Sequence, residues 1–318
     1  MIISKSYKCP GCGGVLCFDP SQQAMYCEYC DSYWSPVTMK KQNKDKNPIV
    51  IHSDEETGVI TDVQSYICSS CGGTVYADRN IGATWCPFCR GAIVIDAQFT
   101  EDKAPDFIIP FQIDKQTAIN SFKSMLKETK WLPKEIFEID AELNITAIYI
   151  PFWFNDFDIE AETEFVATEK SYVASPEHEF VITEKWLVPR SGKIKIRNLP
   201  ANGSINVDSD IIEAIEPFCL SQCRKFETFY LSGFLAEKYS IDSEATKERA
   251  LQRAKRDCLN RIGQTIAFYE KVDYKSGKYE VKKRSYTLRF MSCLFNDNIC
   301  SRQKLHFCLE WTNRQIRL

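Results

Sequence analysis

The sequence predicts an α+β protein: two small cysteine-clasped β-ribbons, then a mixed α+β domain with antiparallel strands. Three observations carry that reading. Eight of the nine cysteines within the first ninety residues fall into two copies of one pattern. After Pro105 the composition turns to amphipathic and alternating segments of ordinary globular character. Two alternating stretches of opposite charge, at residues 156–165 and 193–197, suit strands of one sheet.

The first ribbon is expected over residues 1–36. Cys9-x-x-Cys12 is followed after fourteen residues by Cys27-x-x-Cys30. The second ribbon, over 64–98, repeats this with Cys68-x-x-Cys71 and Cys86-x-x-Cys89 at the same separation. Gly13-Gly14 and Gly72-Gly73 follow the leading pairs, and Asp19 and Asp78 share one offset. A Cys-x-x-Cys turn points two thiolates at one centre, and a second turn completes a tetrahedral set of four sulfurs. Glycine after the pair lets the backbone pass through conformations costly for a residue with a Cβ. The pattern predicts two zinc ions, Zn2+, each held by four thiolates in a rubredoxin-knuckle ribbon. Iron is the other metal that four thiolates suit. A ribbon this short has little core. Metal binding, about 10–16 kcal/mol in comparable modules, is therefore expected to supply most of its folding energy. Cys17 aligns with Tyr76 and is expected to be a packed or free thiol, not a ligand.

Other uses of the cysteines fit less well. Redox chemistry takes a single Cys-x-x-Cys near a βαβ pattern, and disulfides belong to oxidising compartments. The start, Met1-Ile2-Ile3-Ser4-Lys5, has no apolar signal segment, so a cytoplasmic location is expected. No membrane span is expected, because the longest apolar run, residues 147–154, is far too short to cross a bilayer.

Between the ribbons, residues 37–63 read as a polar linker, first basic and amide-rich, then acidic. Residues 99–288 are expected to form the α+β domain. Asp114 is placed to cap a helix running to about Glu128, with Ala118, Ile119, Phe122, Met125 and Leu126 on one face and Pro133 beyond its end. Residues 147–154 read as a strand buried on both faces. The next strand puts Asp156, Asp158, Glu160, Glu162 and Glu164 on one side and Phe157, Ile159, Ala161, Thr163 and Phe165 on the other. Lys193, Lys195 and Arg197 alternate with Ile194 and Ile196, so both charged faces are expected on the same side of one sheet. A last helix is expected over 243–266, with Leu251, Ala254, Cys258, Leu259, Ile262 and Ile266 on one stripe.

Candidate chemistry outside the ribbons is sparse. The acidic row could hold a cation, but the glycine and glutamate that a calcium loop needs at its sixth and twelfth positions are Ala161 and Ala167 here. An evenly spaced row on a strand reads as a solvated face. Lys247, Arg249, Arg253, Lys255, Arg256 and Arg261 make the last helix the most basic segment. Glu244, Glu248 and Asp257 are interspersed, which favours a salt-bridged surface. Cys219-x-x-x-Cys223 has no second pair and is a weak third metal site. No phosphate-binding loop, G-x-G-x-x-G or G-x-S-x-G occurs, and His52, His178 and His306 sit in no local motif. Charge weighs against nucleic acid. Residues 1–104 carry a net −3, which two zinc tetrathiolates would bring to about −7, while the remainder balances.

The ribbons occur with Pro105-Asp106-Phe107-Ile108-Ile109-Pro110-Phe111, Tyr149-Ile150-Pro151-Phe152-Trp153-Phe154, Ile215-Glu216-Pro217-Phe218 and Leu231-Ser232-Gly233-Phe234-Leu235-Ala236-Glu237-Lys238-Tyr239. This combination resembles the TFIIB-type zinc-ribbon proteins of bacteria, common in Firmicutes and without an assigned biochemical role. The resemblance covers residues 6 to about 288 and implies that the eight cysteines are the ligands. Some of these relatives are labelled primosomal replication-restart helicases, yet this chain has no ATPase motif. Relatives continue beyond Tyr286-Thr287-Leu288 with a Leu-Pro-Val-aromatic strand and an Asn-Gly-Gln-Thr-Gly-Lys segment, and often end in membrane-spanning sequence. Residues 289–318 show neither. One permitted back-translation of residues 311–317, shifted by one base, reads Gly-Gln-Thr-Gly-Lys-Phe. The atypical tail is thus expected to be a frameshifted reading in which Cys293, Cys300 and Cys308 carry no function.

The function expected from all this is a non-enzymatic zinc-binding adaptor whose two structural four-cysteine ribbons contact a protein partner that the sequence does not identify. The alternative is a nucleic-acid-binding zinc-ribbon protein acting in transcription or replication.

Overall fold

The computed structural model describes residues 2–36, 38–39, 63–78, 80–95, 99, 104–128, 145–174, 178–214, 216–300, 303–310 and 315–317. Almost all of the expected polar linker lies outside these residues, as does Pro133. The fold is mostly sheet, with helices set against it. Two compact units are formed: Met1–Phe152, Asn202–Asp242 and Leu288–Leu318 make the first, Trp153–Ala201 and Ser243–Thr287 the second. The stretch 99–288, expected as one domain, contributes to both.

In the first unit, β1 (Ile2–Ile3) lies parallel to β5 (Val63–Ile67), which pairs antiparallel with β6 (Thr74–Asp78). The first ribbon is an antiparallel meander of β2 (Leu16–Asp19), β3 (Ala24–Cys27) and β4 (Ser32–Trp34). The second half of the other ribbon is a hairpin of β7 (Ile81–Trp85) and β8 (Ala92–Val94). That hairpin does not stand alone. Strand β13 (Leu235–Glu237) pairs antiparallel with β7 and parallel with β10 (Ile145–Ala174), drawing it into a mixed sheet. Its order is β12 (Arg224–Lys225), β9 (Phe107–Ile109), β14 (Lys271–Cys300), β10, β13, β7, β8.

Tyr149, Ile150, Phe152 and Phe154 of β10 are all buried, so both faces of this stretch are covered, as the unbroken apolar run predicts. Helix α1 (Lys115–Glu128) starts where expected: the Thr117 N–H donates to Asp114 Oδ1 at 2.7 Å, and Ala118 and Ile119 are buried.

Ribbon one shares this unit's core. Tyr7, Leu16, Phe18 and Met25 pack with Ile108, Phe111, Tyr149, Phe229, Leu231 and Phe290. Burial of such side chains contributes about 1.5–3 kcal/mol each, so packing against the rest of the unit adds to whatever a metal supplies to this ribbon. Ribbon two keeps a smaller cluster of its own, with Tyr66, Cys68, Val75, Cys86, Ile93 and Ile95.

The tail begins inside the core. Arg289, Phe290 and Met291 of β14 pair parallel with Phe107, Ile108 and Ile109, and Phe290, Met291 and Cys293 are buried. The boundary drawn after Leu288 therefore falls within a strand. β14 then continues antiparallel to β15 (Gln303–Glu310), which pairs with β16 (Gln315–Arg317).

In the second unit, β10 lies between β14 and β11 (Glu179–Asn202). Contacts between residues 158 and 197, 160 and 193, and 163 and 190 run in opposite directions, so β10 and β11 are antiparallel. The charged faces lie together as the alternation predicts: Arg197 Nη2 sits 2.6 Å from Asp158 Oδ1 and Lys193 Nζ 2.8 Å from Glu160 Oε1. On the opposite face Phe157, Ile159, Ala161 and Phe165 pack under α2 (Lys247–Gly263). That helix presents Ala250, Ala254, Cys258 and Ile262 at a spacing of four. Arg284 ties down the approach to α2 by donating from Nη2 to Ser243 O at 2.6 Å and to Asn155 Oδ1 at 3.0 Å.

Candidate metal centres

Each ribbon brings its four cysteines to one point. The sulfurs of Cys9, Cys12, Cys27 and Cys30 lie within 4.8 Å of one another, and so do those of Cys68, Cys71, Cys86 and Cys89. The separations are regular: 3.6 Å for Cys9–Cys30, 3.5 Å for Cys12–Cys27, 3.8 Å for Cys68–Cys89 and 3.7 Å for Cys71–Cys86. In both quartets the first cysteine of each pair is buried and the second exposed. Four sulfurs about 2.3 Å from one ion at tetrahedral angles stand about 3.8 Å apart, so these groups could each hold a metal ion.

The turns that aim the sulfurs are alike. In the leading pairs the N–H of Gly13 donates to Cys9 O at 2.9 Å and that of Gly72 to Cys68 O at 2.8 Å. Gly13 has φ +76° and Gly72 φ +75°, the left-handed region that glycine enters at least cost. The trailing turns adopt the same conformation without glycine: Asp31 has φ +53° and Arg90 φ +55°. Glycine is visible in a sequence, whereas these two residues show their role only by standing directly after a second cysteine. The repeated aspartates also have a shared task. Asp19 Oδ1 accepts from the Ser21 N–H at 2.7 Å and Asp78 Oδ1 from the Asn80 N–H at 2.8 Å, fixing the turn that follows β2 and the one that follows β6.

Electrostatics within the quartets is uneven. Burial opposes ionisation of Cys9, but the backbone at Cys12 and Gly11 and the side chains of Cys30 and Ser32 bring it down to about 6. Cys86 is likewise lowered to about 7, its burial outweighed by backbone donors at Cys89 and Phe88 and by the thiols of Cys89 and Cys71. The Gly14 N–H favours a Cys12 thiolate, yet burial and three neighbouring thiols push it up to about 12. Burial and the same crowding raise Cys89 to about 12 against the pull of Gly91. Sulfurs this close cannot all ionise without a cation among them.

Cys17 takes no part. It stands on β2 opposite Tyr26, and burial raises its thiol to about 12. Its side chain lies against Gly233, where a Cβ would come within 3.1 Å of Cys17 Cβ. Beside it the Phe18 N–H donates to Ser232 O at 2.8 Å and Ser232 Oγ to Leu16 O at 2.6 Å. Residues 228–237 thus clasp β2 at one end and pair with β7 at the other. No local pattern announces this.

One aromatic residue of each trailing turn stands beside a glycine that follows the leading pair. Tyr29 Cβ would lie 3.3 Å from a Cβ at Gly14, and the Phe88 ring 2.7 Å from one at Gly73. Both aromatics remain exposed, at 84% and 68%.

The other candidates resolve differently. Four members of the acidic row make cross-strand contacts: besides the pairs of Asp158 with Arg197 and Glu160 with Lys193, Asp156 accepts from the Asn198 N–H at 2.8 Å and Glu164 lies 3.4 Å from Lys275. Hydrogen bonds from Arg197 and Lys193 hold Asp158 and Glu160 below the ordinary carboxylate range. Among the described residues neither this row nor Cys219 and Cys223 form a group able to hold a metal. Basic residues of α2 are also engaged, with Arg253 donating to Pro200 O at 2.6 Å and Arg261 paired with Asp257 at 2.9 Å. Among the described residues no helix is long and apolar enough to cross a membrane.

The fold and these sites define a mostly β protein with two four-cysteine groups suited to metal. It is similar to YdjG, an uncharacterised protein of Bacillus subtilis (strain 168), at 27% identity over 282 residues, covering 89% of this chain and 79% of that one. No protein-family model and no solved structure matches the chain.

Proposed function

We propose that both quartets hold zinc as structural sites, and that the chain is a non-enzymatic adaptor of the TFIIB-type zinc-ribbon kind, working in the cytoplasm. The sulfur separations of 3.5–3.8 Å carry the zinc reading, because they match a closed tetrathiolate with no position left for a substrate. Zinc supplies charge neutralisation and cross-linking there; the chain's own turns supply the aim. The adaptor reading rests on Tyr29 and Phe88, exposed aromatics at one position in both copies, with Tyr33 and Tyr76 also exposed on the ribbons. Elemental analysis of the purified chain tests the first part, with two zinc ions per chain expected and iron or no metal refuting it. Comparison of cellular partners captured by the intact chain and by Tyr29→Ala/Phe88→Ala tests the second. Identical partner sets refute it.

We also propose that residues 289–318 are a frameshifted reading, because the resemblance stops at Leu288 and residues 311–317 shifted by one base restore the Gly-Gln-Thr-Gly-Lys segment. Sequencing the gene decides this, and a frame unshifted relative to close relatives ends the proposal.

A further inference from the structure

The second unit's sheet ends on β11, which among the described residues pairs with β10 alone. An edge strand offers a row of N–H and C=O groups to any other strand, and proteins usually guard such edges with charge or proline. The opposite edge, β14 over residues 271–287, is guarded by Lys271, Lys275, Lys278 and Lys283. The later part of β11 is guarded by Pro189, Lys193, Lys195 and Pro200. Residues 180–187 carry Glu184 and Lys185 at one end, but 180–183 have no charge. Phe180, Val181, Ile182 and Leu187 there are 53%, 53%, 48% and 53% exposed, and no proline interrupts them. On β10, Tyr172 and Val173 extend the apolar surface, at 63% and 49% exposed.

We infer that residues 179–187 form a self-pairing edge, which joins the β11 strands of two copies antiparallel about a two-fold axis at Ile182. Charge picks that axis. It sets Glu179 opposite the partner subunit's Lys185 twice by symmetry, Val181 opposite the partner's Thr183, and the two Ile182 side chains side by side. A one-residue slip would set side chains of opposite faces against each other, so the competing registers are slips of two residues; these bring Glu179 against the partner's Thr183 or the partner's Leu187 and leave it unmatched. Glu179, Glu184 and Lys185 are all exposed, so none is committed to the interior. The joined edges bury apolar surface that nothing else in the chain covers among the described residues.

Sedimentation equilibrium of the full, metal-loaded chain tests this. The wild type is expected to dimerise reversibly. Glu179→Lys alone and Lys185→Glu alone are each expected to weaken the dimer about tenfold, because each places like charges at both symmetric contacts. Mixing these two single variants restores association, since each now faces its opposite across the axis, and the double variant dimerises like the wild type. Ile182→Pro abolishes the dimer. Unchanged metal content and circular dichroism show that each variant is folded. A wild type that stays monomeric at high micromolar concentration overturns the inference. So does a dimer that survives Ile182→Pro, or one indifferent to the charge exchange.

Discussion

Replacing Gly72 with alanine isolates the contribution of one backbone turn to a metal site. A Cβ added at Gly72 has no heavy atom within 4 Å, so the substitution creates no clash. Only the conformation matters: φ is +75°, and an L-residue with a Cβ held in that region loses about 1–2 kcal/mol. That loss falls on the folded, metal-holding form. Retention of the ion in the second quartet should therefore drop about 5–30-fold. The assay is competition between the loaded chain and a chromogenic chelator at neutral pH, read as metal transferred against chelator concentration. Gly72→Asn should lie between wild type and Gly72→Ala, because asparagine tolerates the left-handed region better. Gly13→Ala should reproduce the effect at the first quartet, where φ is +76° and space is again open. Gly73→Ala acts by another route, since its Cβ would stand 2.7 Å from the Phe88 ring and force that ring aside. Retention within about twofold of wild type for both Gly72→Ala and Gly72→Asn would show that the left-handed turn does not shape the site.

Other expectations follow from the same geometry. Cys27→Ser should leave one metal per chain, whereas Cys17→Ser, on the neighbouring strand but outside the quartet, should keep two; mass spectrometry of the native protein reads both. The Lys193 hydrogen bond lowers the Glu160 carboxylate in the folded chain, so its contribution is present above the ordinary glutamate range and is lost as pH falls through the folded value. Melting temperatures of wild type and Glu160→Gln should then differ at neutral pH and converge as pH falls below the ordinary glutamate range; a constant gap contradicts the linkage. Arg284→Met leaves Asn155, which is fully buried, without its charged donor and should destabilise the second unit by about 1.5–3 kcal/mol in urea. A loss below about 0.5 kcal/mol would mean that Asn155 finds another partner.

Local chemistry was legible in the chain from the start. Two Cys-x-x-Cys turns separated by fourteen residues form one group of sulfurs whatever surrounds them, because a turn and a hairpin are set by their own residues. The alternation of acid with Phe157, Ile159 and Phe165, and of Lys193 and Arg197 with Ile194 and Ile196, fixed two strands and their facing sides for the same reason: side chains repeat every two residues along a strand. Asp114 likewise marked the start of its helix. What the sequence left open was which distant segments lie side by side. Ser232 holds Leu16 from 216 residues away, and β13 carries the second ribbon's hairpin into a sheet with β10. Short strands such as Leu235–Glu237 have too few residues to carry a pattern, and their backbone groups pair with whichever edge the packed core presents. The cysteines and alternations thus determined the sites and the strands. Burial of Leu16, Phe18 and Met25 among residues 108–290 decided that the first ribbon is built into a larger core, because only the assembled unit offers enough apolar surface to cover them.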